Sequence, residues 1–261
     1  SPRGIFTQKW RYNSFKKRVY LSLIAKPLLM HASAIHIVAK EELQGLRDIG
    51  IKRPYFLIPN GVNLKEFSTL PVKEEAYQYW PQLKGRRVAI YLGRLSPEKG
   101  LDILIRAWQT VVSESSNSVL LIAGPSFNGY RTHLERLVYT LKLDNHVIFS
   151  DFLDQNQKKI ALNISDFYVQ PSFSEGFSKS ILEALACGKP CIITTGCNFS
   201  ELKESGAGEI VPPRVDTLSA AILKFIECPP YRIREMGEKG RQLIREKYDM
   251  EMIAQKFIIA Y

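Results

Sequence analysis

The sequence predicts an α/β fold in which helices cover both faces of a parallel β-sheet. From residue 34 onward, short apolar runs alternate with amphipathic segments, which indicates strands separated by helices. The runs are apolar throughout, as is typical of strands that are buried on both faces. With 261 residues, 45% of them hydrophobic, the chain can form a sizeable core without disulfides or bound metals.

The first predicted elements are short. The segment AIHIVA (34–39) predicts a strand, and residues 40–49 predict a helix that ends at Gly50. YFLIP (55–59) predicts a second strand, which the turn NGV follows. Residues 63–86 are polar and contain two prolines, so they are interpreted as a loop or linker between elements.

A more regular alternation begins at residue 88. In the segment 101–112, apolar residues recur at the spacing of a helix face that packs against a sheet; they are Leu101, Leu104, Ile105, Trp108 and Val112. The predicted strands are 88–93, 119–124, 146–150, 167–172, 191–195 and 208–213. The predicted helices are 101–112, 130–142, 155–163 and 178–187, with further helical segments between 216 and 260.

The loop GRLSPEKG (93–100) carries two cations at the carboxyl end of a predicted strand, where ligands bind in parallel sheets. The sequence contains neither the G-x-G-x-x-G nor the Walker phosphate-binding loop. Arg94 and Lys99 stand instead between two glycines and a proline, and a guanidinium with an ammonium suits a diphosphate. A solvated turn with incidental charges is the alternative, and this loop alone leaves both interpretations open.

The segment SEGFSKSILEALACGKP (174–190) places two carboxylates at the start of a predicted helix, and a helix N-terminus favours an anionic phosphate. Glu175 precedes the helix, and Glu183 lies about one turn inside it. A carboxylate can accept two hydroxyl hydrogen bonds, as it would from a vicinal diol of a sugar or ribose. Alternatively, SILE (180–183) matches a capping box, in which Glu183 only satisfies the helix N-terminus.

Several motifs together resemble the retaining glycosyltransferase family 4, whose members have the GT-B fold of two Rossmann-like domains. PSFSEGFSKSILEALACGKPCIIT (171–194) resembles the E-x7-E signature of that family. The other matching segments, in the family's order, are LIPNGV (57–62), YLGRLSPEKGLDILIRAW (91–108), LLIAGP (120–125), VIFSDFL (147–153), SDFYVQPSFSEGF (165–177) and GAGEIVPP (206–213). The resemblance covers about residues 34–250, and it favours ligand binding by Glu183 over the capping box.

The resemblance implies a role for each residue that matches a motif. Arg94 and Lys99 would bind the diphosphate of a nucleotide-sugar donor. Glu175 would bind hydroxyls of the transferred sugar, so these three are the predicted catalytic residues. Glu183 would hold the ribose hydroxyls. The remaining predicted donor-binding residues are Gly93, Gly176, Phe177, Ser178 and, beside the nucleobase, Phe152 and Leu153.

The same resemblance implies a reaction. A sugar would pass from a UDP-, GDP- or ADP-sugar to a hydroxyl of a glycan or lipid-linked acceptor, with retention at the anomeric carbon. No metal or other cofactor is implied. The family's commonest setting is bacterial polysaccharide or lipid-linked glycan synthesis. The alternatives are a nucleotide-sugar 2-epimerase of the same fold and an isolated donor-binding or membrane-surface module without activity.

The sequence departs from the family pattern in two places. Ser178 replaces the second glycine of the E-G-F-G turn, with Lys179 after it, which could shift the donor preference. At the front, only the tail of the family's first domain is expected, so the predicted fold is a GT-B type with its first Rossmann-like domain truncated. Residues 1–60 would belong to that tail, 61–245 would form the nucleotide-sugar-binding domain, and 246–261 would form a helix that packs back on the first domain. Such a fragment is expected to bind the donor and to turn over poorly alone.

The formal net charge of +10 is concentrated near the start of the chain. Residues 1–40 contain no acid and eight basic residues; these are Arg3, Lys9, Arg11, Lys16, Lys17, Arg18, Lys26 and Lys40. Between Trp10 and Leu29 they adjoin apolar residues such as Phe15, and together they could form an interfacial helix on an anionic membrane. A solvated helix face is the alternative. No aromatic platform interleaves the charges, which argues against nucleic acid. We expect a cytoplasmic protein with peripheral contact at the inner face of the membrane.

The four cysteines are expected to be reduced and buried, as suits the cytosol. They lie in or beside apolar runs, and no histidine pair accompanies them. A zinc site built from Cys187, Cys191 and Cys197 is the alternative, but their spacing fits no common zinc motif.

Overall fold

The computed structural model describes residues 19–260. Six of the eight basic residues predicted to form an N-terminal arm lie outside the described residues, as do Trp10 and Phe15 of the predicted interfacial helix. The described part of that segment is helical. It consists of a π-helical turn, Leu21–Ala25, and helix α1, Lys26–His31.

Within residues 19–260, the first strands form a separate two-stranded parallel sheet. Strand β1 is Ile35–Ile37 and strand β2 is Tyr55–Leu57, and helix α2, Lys40–Asp48, connects them. Ile35 and Ile37 pack with apolar residues of α2 and of the segment after it, which form a small core under this sheet. The two predicted strands and the predicted helix are therefore present, although each strand is shorter than predicted.

Six further strands of the described chain form the main sheet, and all of its strand pairs are parallel. The strands are β3 Arg87–Leu92, β4 Ser118–Ala123, β5 Val147–Ser150, β6 Phe167–Gln170, β7 Cys191–Thr194 and β8 Gly208–Val211. Their order in space is β5-β4-β3-β6-β7-β8. The chain thus reverses its direction of winding between β3 and β6, and ligands bind at such a switch point in open parallel sheets.

Helices cover both faces of the main sheet. Their bounds are α3 Ala76–Tyr79, α4 Leu101–Glu114, α5 Tyr130–Thr140, α6 Gln155–Ile164, α7 Lys179–Ala186, α8 Glu201–Glu204, α9 Val215–Glu227, α10 Pro230–Lys247 and α11 Met250–Ala260. One core contains Ile90 and the inner faces of α6, α7 and α10. The other contains Tyr91 and the inner faces of α4, α5 and α9. Successive residues of β3 thus enter opposite cores, which explains why the strands are apolar throughout.

Residues 63–86 connect β2 to β3, as the loop interpretation expected, but they are not a polar linker without structure. This segment forms 3₁₀ turns at Leu64–Phe67, Lys73–Glu75 and Pro81–Leu83, together with the short helix α3. Phe67, Trp80 and Leu83 are buried in the core of the main sheet. The few apolar residues are spaced so that each reaches the core while the polar residues between them remain outside, and that spacing has no simple period.

The C-terminal helix connects the two sheets. Phe257 of α11 contacts the rings of His36 and Phe56, with centroid distances of 4.9 and 6.5 Å. At the start of α11, Val62 and Asp249 form an isolated parallel bridge. Among the described residues, no helix combines the length and the apolar character that crossing a membrane requires.

Candidate functional site

A cavity of about 460 Å³ lies where β3, β4 and β6 end. Nine of the ten residues that the sequence predicted for the site line it; they are Gly93, Arg94, Lys99, Phe152, Leu153, Glu175, Phe177, Ser178 and Glu183. Gly176 lies in the same turn but is not among the lining residues. The other lining residues are Leu92, Ala123, Gly124, Pro125, Gln155, Lys158, Lys179 and Ser180. The two loops with motif residues therefore converge on one cavity.

Bare backbone forms part of the cavity wall between β3 and β4. Gly93 and Gly124 follow these strands directly, and both line the cavity. A Cβ atom on Gly124 would overlap the carbonyl oxygen of Gly93, so the approach of the two strand ends requires glycine at position 124. Without side chains at these positions, a ligand can approach the main chain closely.

The loop after β3 places its two cations in different surroundings. Arg94 lies at the surface, 3.2 Å from Glu98, and its guanidinium stands 5.4 Å above the ring of Phe127. Burial alone would raise the pKa of the Glu98 carboxyl, but the Ser96 hydroxyl, a backbone N–H and nearby cations lower it below its ordinary value. Lys99 ends a 3₁₀ turn, Pro97–Lys99, and is largely buried.

Glu175 is held by several donors. Its Oε1 atom accepts hydrogen bonds from Lys99 Nζ at 2.6 Å, Gln170 Nε2 at 2.5 Å and Ser172 Oγ at 2.7 Å. Its backbone N–H donates to Gly196 O at 2.8 Å, which fixes the main chain of the turn as well. Because Lys99 follows β3 and Glu175 follows β6, their ion pair joins the two sides of the switch point.

Glu183 forms a second ion pair in the cavity wall. Its Oε1 atom lies 2.6 Å from Nζ of Lys158, which projects from the first turns of α6. Each of the two side chains is about one-fifth exposed. Each glutamate of the E-x7-E segment therefore faces the cavity beside a lysine from another segment of the chain.

The capping box at Ser180 and Glu183 is not formed. Helix α7 begins after Ser178, whose side chain makes no capping hydrogen bond. The hydroxyl of Ser180 lies 3.0 Å from that of Tyr168, and Glu183 pairs with Lys158. A capping box does form before α6, at Asp154 and Gln157. The first N–H groups of α7 are thus left without a side-chain cap at a helix end that lines the cavity.

The charge of the cavity wall favours an anion. Among the described residues, its lining contains four cations, Arg94, Lys99, Lys158 and Lys179, against two carboxylates. The excess of two positive charges, together with the partial positive charge at the start of α7, complements a diphosphate.

Sequence reasoning missed Lys158 and Gln170. Lys158 lies just inside the helix after β5, a position from which a side chain can reach the carboxyl edge of the sheet. The position of Lys158 could have been recognised in the sequence, but its pairing with Glu183 could not. Gln170, the last residue of β6, is 2% exposed, and a buried polar residue directly before a ligand-binding turn is a signal that could have identified it.

None of the four cysteines lines the cavity. Cys187, Cys191 and Cys197 are buried free thiols, and Cys228 is partly buried. Burial raises the pKa of Cys187 and of Cys197 to about 12, which disfavours the thiolate form that binds metals. The described residues contain no cluster of three or more His, Cys, Asp or Glu side chains that could hold a metal ion.

Known proteins resemble this chain over most of its length. An uncharacterized glycosyltransferase of Methanocaldococcus jannaschii is 27% identical over 210 residues, which are 78% of this chain and 53% of that protein. The alpha-monoglucosyldiacylglycerol synthase of Streptococcus pneumoniae is 23% identical over 251 residues, which are 88% of this chain and 56% of that protein. The chain spans about half the length of the curated relatives that it matches.

A solved structure and a family model identify the fold and the family. The crystal structure of Anabaena HepE in complex with UDP-glucose matches with a TM-score of 0.85 at 22% identity, over 99% of this chain and 70% of that one. The structural neighbours are GT-B glycosyltransferases, which confirms the predicted GT-B type. The model described as "Glycosyl transferases group 1" matches residues 72–243. Since this match covers well over half of the chain, the chain belongs to the group 1 family of glycosyl transferases.

Proposed function

We propose that the cavity binds a nucleotide-diphosphate sugar and that the whole protein transfers the sugar to an acceptor hydroxyl. The observation that carries this proposal is the pair of lysine–glutamate contacts, Lys99 with Glu175 and Lys158 with Glu183, which flank the start of α7. The lysines and the backbone N–H groups at the start of α7 can bind a diphosphate. The carboxylate oxygens of the two glutamates can bind the hydroxyls on either side of that diphosphate.

Each site residue that the sequence predicted has one task on this proposal. Arg94, Lys99 and the first N–H groups of α7 bind the diphosphate. Glu175 binds hydroxyls of the sugar, and Glu183 binds those of the ribose. The nucleobase lies against the segment after β5, where Phe152 is exposed and Leu153 is partly buried. Gly93 and the turn of Gly176, Phe177 and Ser178 provide main chain beside the diphosphate and sugar.

The proposed reaction retains the anomeric configuration and requires no metal. Negative charge develops on the diphosphate as it leaves, and Arg94, Lys99 and the helix terminus stabilise that charge. Glu175 and Glu183 act as binding groups. We do not assign them the roles of acid and nucleophile that paired carboxylates have in glycosidases.

The comparisons support the donor class and suggest an acceptor class. HepE was crystallised with UDP-glucose, and the name of the Streptococcus pneumoniae relative contains a glucosylated diacylglycerol. We propose a glycan or lipid-linked acceptor, in bacterial polysaccharide or lipid-linked glycan synthesis at the cytoplasmic face of the membrane. Because the chain spans about half the length of these relatives, we propose that residues 1–261 alone bind the donor and turn over poorly.

Isothermal titration of the chain with UDP-, GDP- and ADP-sugars tests the donor proposal. One of them should bind, and Lys99→Ala should weaken its binding about tenfold or more, since a charged hydrogen bond contributes about 1.5–3 kcal/mol. Lys224→Ala is the matched control, because Lys224 forms a 2.6 Å ion pair with Glu209 away from the cavity. Absence of binding by all three donors, or equal effects of the two substitutions, would contradict the proposal. Epimerised donor formed without an acceptor would show an epimerase instead.

Exposed apolar side chains favour membrane contact as an accessory property. Leu23, Ile24, Leu28 and Met30 are exposed on the helical segment before β1, next to the basic start of the sequence. Such a surface is suited to an anionic bilayer. Sedimentation with vesicles tests this: the chain should pellet with anionic vesicles and remain in solution with neutral ones, and identical behaviour with both would contradict it.

A further inference from the structure

Gln170 connects Glu175 to the turn that precedes α7. It is the last residue of β6, and its side chain is buried behind the cavity wall. Its Nε2 atom donates to Glu175 Oε1 at 2.5 Å and to Ser172 Oγ at 3.3 Å. An ionised carboxylate can only accept, so the nitrogen of the Gln170 amide must face Glu175.

Three hydroxyl groups surround the other end of the same amide. Gln170 Oε1 accepts from Tyr168 at 2.5 Å, Ser178 at 3.2 Å and Ser180 at 3.4 Å. Burial holds the pKa of Tyr168 well above its ordinary value, so its hydroxyl keeps the proton that it donates. A flipped amide would face a carboxylate with its oxygen and the hydroxyls with its nitrogen. The network therefore fixes one orientation of Gln170.

We propose that Gln170 is a positioning residue that sets the carboxylate of Glu175 for the donor sugar and links it to the start of α7 through Ser178 and Ser180. This inference rests on the proposed function. Three donors on Oε1 fix the plane of the carboxylate and so the direction of Oε2. On this proposal Lys99 also binds the diphosphate. The buried Nε2 atom of Gln170, in contrast, donates only to Glu175 and Ser172 among the described residues.

The hydroxyl of Ser178 has a part in this arrangement. Ser178 stands where the family's turn has glycine, and its side chain is directed to Gln170 and Ser180. The substitution therefore adds a hydrogen bond to the positioning network and leaves the backbone N–H groups of the turn as they are. The amide of Gln170 thus links the carboxylate proposed to bind the sugar, Glu175, to the start of α7.

The test compares each nucleotide sugar with its nucleoside diphosphate. The ratio of the two affinities measures what the sugar contributes, and we expect Gln170→Met to reduce this ratio about tenfold while affinity for the nucleoside diphosphate changes by less than about twofold. The ligand pairs are UDP-glucose with UDP, GDP-mannose with GDP, and ADP-glucose with ADP. Gln242→Met, an exposed glutamine of α10, is the control and should leave both affinities unchanged.

A double-mutant cycle separates positioning from a general structural role. If Gln170 acts through Glu175, then Gln170→Met should have no further effect on the affinity ratio in a Glu175→Ala background. Gln170→Leu has no amide and cannot donate to Glu175, so it should reduce the ratio as Gln170→Met does. This second apolar variant provides the measurement should the methionine variant fail to fold.

The outcomes distinguish this inference from the proposed function. Absence of binding of any nucleoside diphosphate or nucleotide sugar to the wild-type chain would contradict the proposed function itself. Binding of a nucleotide without any gain from the sugar would leave the proposed nucleotide site intact and overturn the role of Gln170. Equal losses for sugar and nucleotide in Gln170→Met, or additive effects in the cycle, would also overturn it.

Discussion

Lys158 and Lys159 are neighbours in α6 but have different surroundings. Lys158 lines the cavity and pairs with Glu183, whereas Lys159 does not line it. We expect Lys158→Met to weaken binding of a nucleoside diphosphate about tenfold, because Glu183 loses the charged hydrogen bond that orients it. Lys159→Met should change the affinity by less than twofold. Titration calorimetry measures both, and equal effects would show that the ion pair does not contribute.

Lys189 predicts a pH dependence of stability. Its Nζ atom donates to the carbonyl oxygens of Asn163 and Ser165, both at 2.9 Å, and burial lowers its pKa to about 8 from an ordinary value of 10.5. Between these two values the unfolded chain binds more protons than the folded one. This lysine therefore raises the free energy of unfolding as the pH rises from about 8 to 10.5, by on the order of 3 kcal/mol in total.

Urea unfolding of the wild type and of Lys189→Met at pH 7.5 and 9.5 measures this contribution. Methionine does not titrate, and the other titratable groups are common to both proteins. The stability of the wild type relative to the variant should therefore increase with pH. A difference that stays constant between the two pH values would show that Lys189 is not shifted.

At the scale of elements, the turn before α4 depends on Gly100. Its φ of 66° is left-handed, and a Cβ atom there would overlap the carbonyl oxygen of Pro171, at the end of β6. Gly100→Ala should therefore move the Lys99 turn away from the Glu175 turn. Gly85 has a similar φ of 73°, but a Cβ atom on it would meet nothing within 4 Å.

These two glycines form a matched pair for measurement. Gly85→Ala should cost about 1–2 kcal/mol, the price of the left-handed backbone alone. Gly100→Ala should cost about 2 kcal/mol more, because it adds an overlap with main chain. Thermal or urea unfolding gives both values. Equal losses of stability would mean that the main chain at Pro171 shifts to relieve the overlap with little loss of free energy.

Most elements could be predicted from the sequence because their apolar residues follow a regular period. The strands from β3 to β8 and helices α4 to α7 lie within a few residues of their predicted positions. The turns of 64–83 could not be predicted in this way, since Phe67, Trp80 and Leu83 enter the core without helical or strand periodicity. Local sequence determines a turn of this kind less strongly than tertiary packing does.

The residues lining the cavity could be predicted better than their pairing. Glu175, Arg94 and Lys99 stand in short loops at strand ends, where topology alone brings them to one edge of the sheet. The partners of the glutamates come from segments 25 and 76 positions away, as the Lys158–Glu183 and Lys99–Glu175 contacts show. Such pairs depend on strand order, which no single segment encodes.

At the scale of the whole molecule, α11 couples the small sheet to the rest of the chain. Phe257 contacts rings of β1 and β2, while the adjacent Ile258 is 78% exposed. We expect Phe257→Ala to accelerate amide hydrogen exchange in β2 and at Ile58, with little change in β3 and β4. Ile258→Ala is the control and should change neither sheet. Faster exchange in both sheets would show that Phe257 stabilises the whole fold cooperatively.

The order of strands also divides the main sheet into two halves. Within the described residues, β3 to β5 form one half of the main sheet and β6 to β8 form the other, and the halves are paired through Ala89 with Phe167 and Ile90 with Tyr168. A donor held by Lys99 on one side and Glu175 on the other would span this seam. Separation of the halves would then require the donor to dissociate first. We therefore expect saturating donor to slow proteolysis of the native chain.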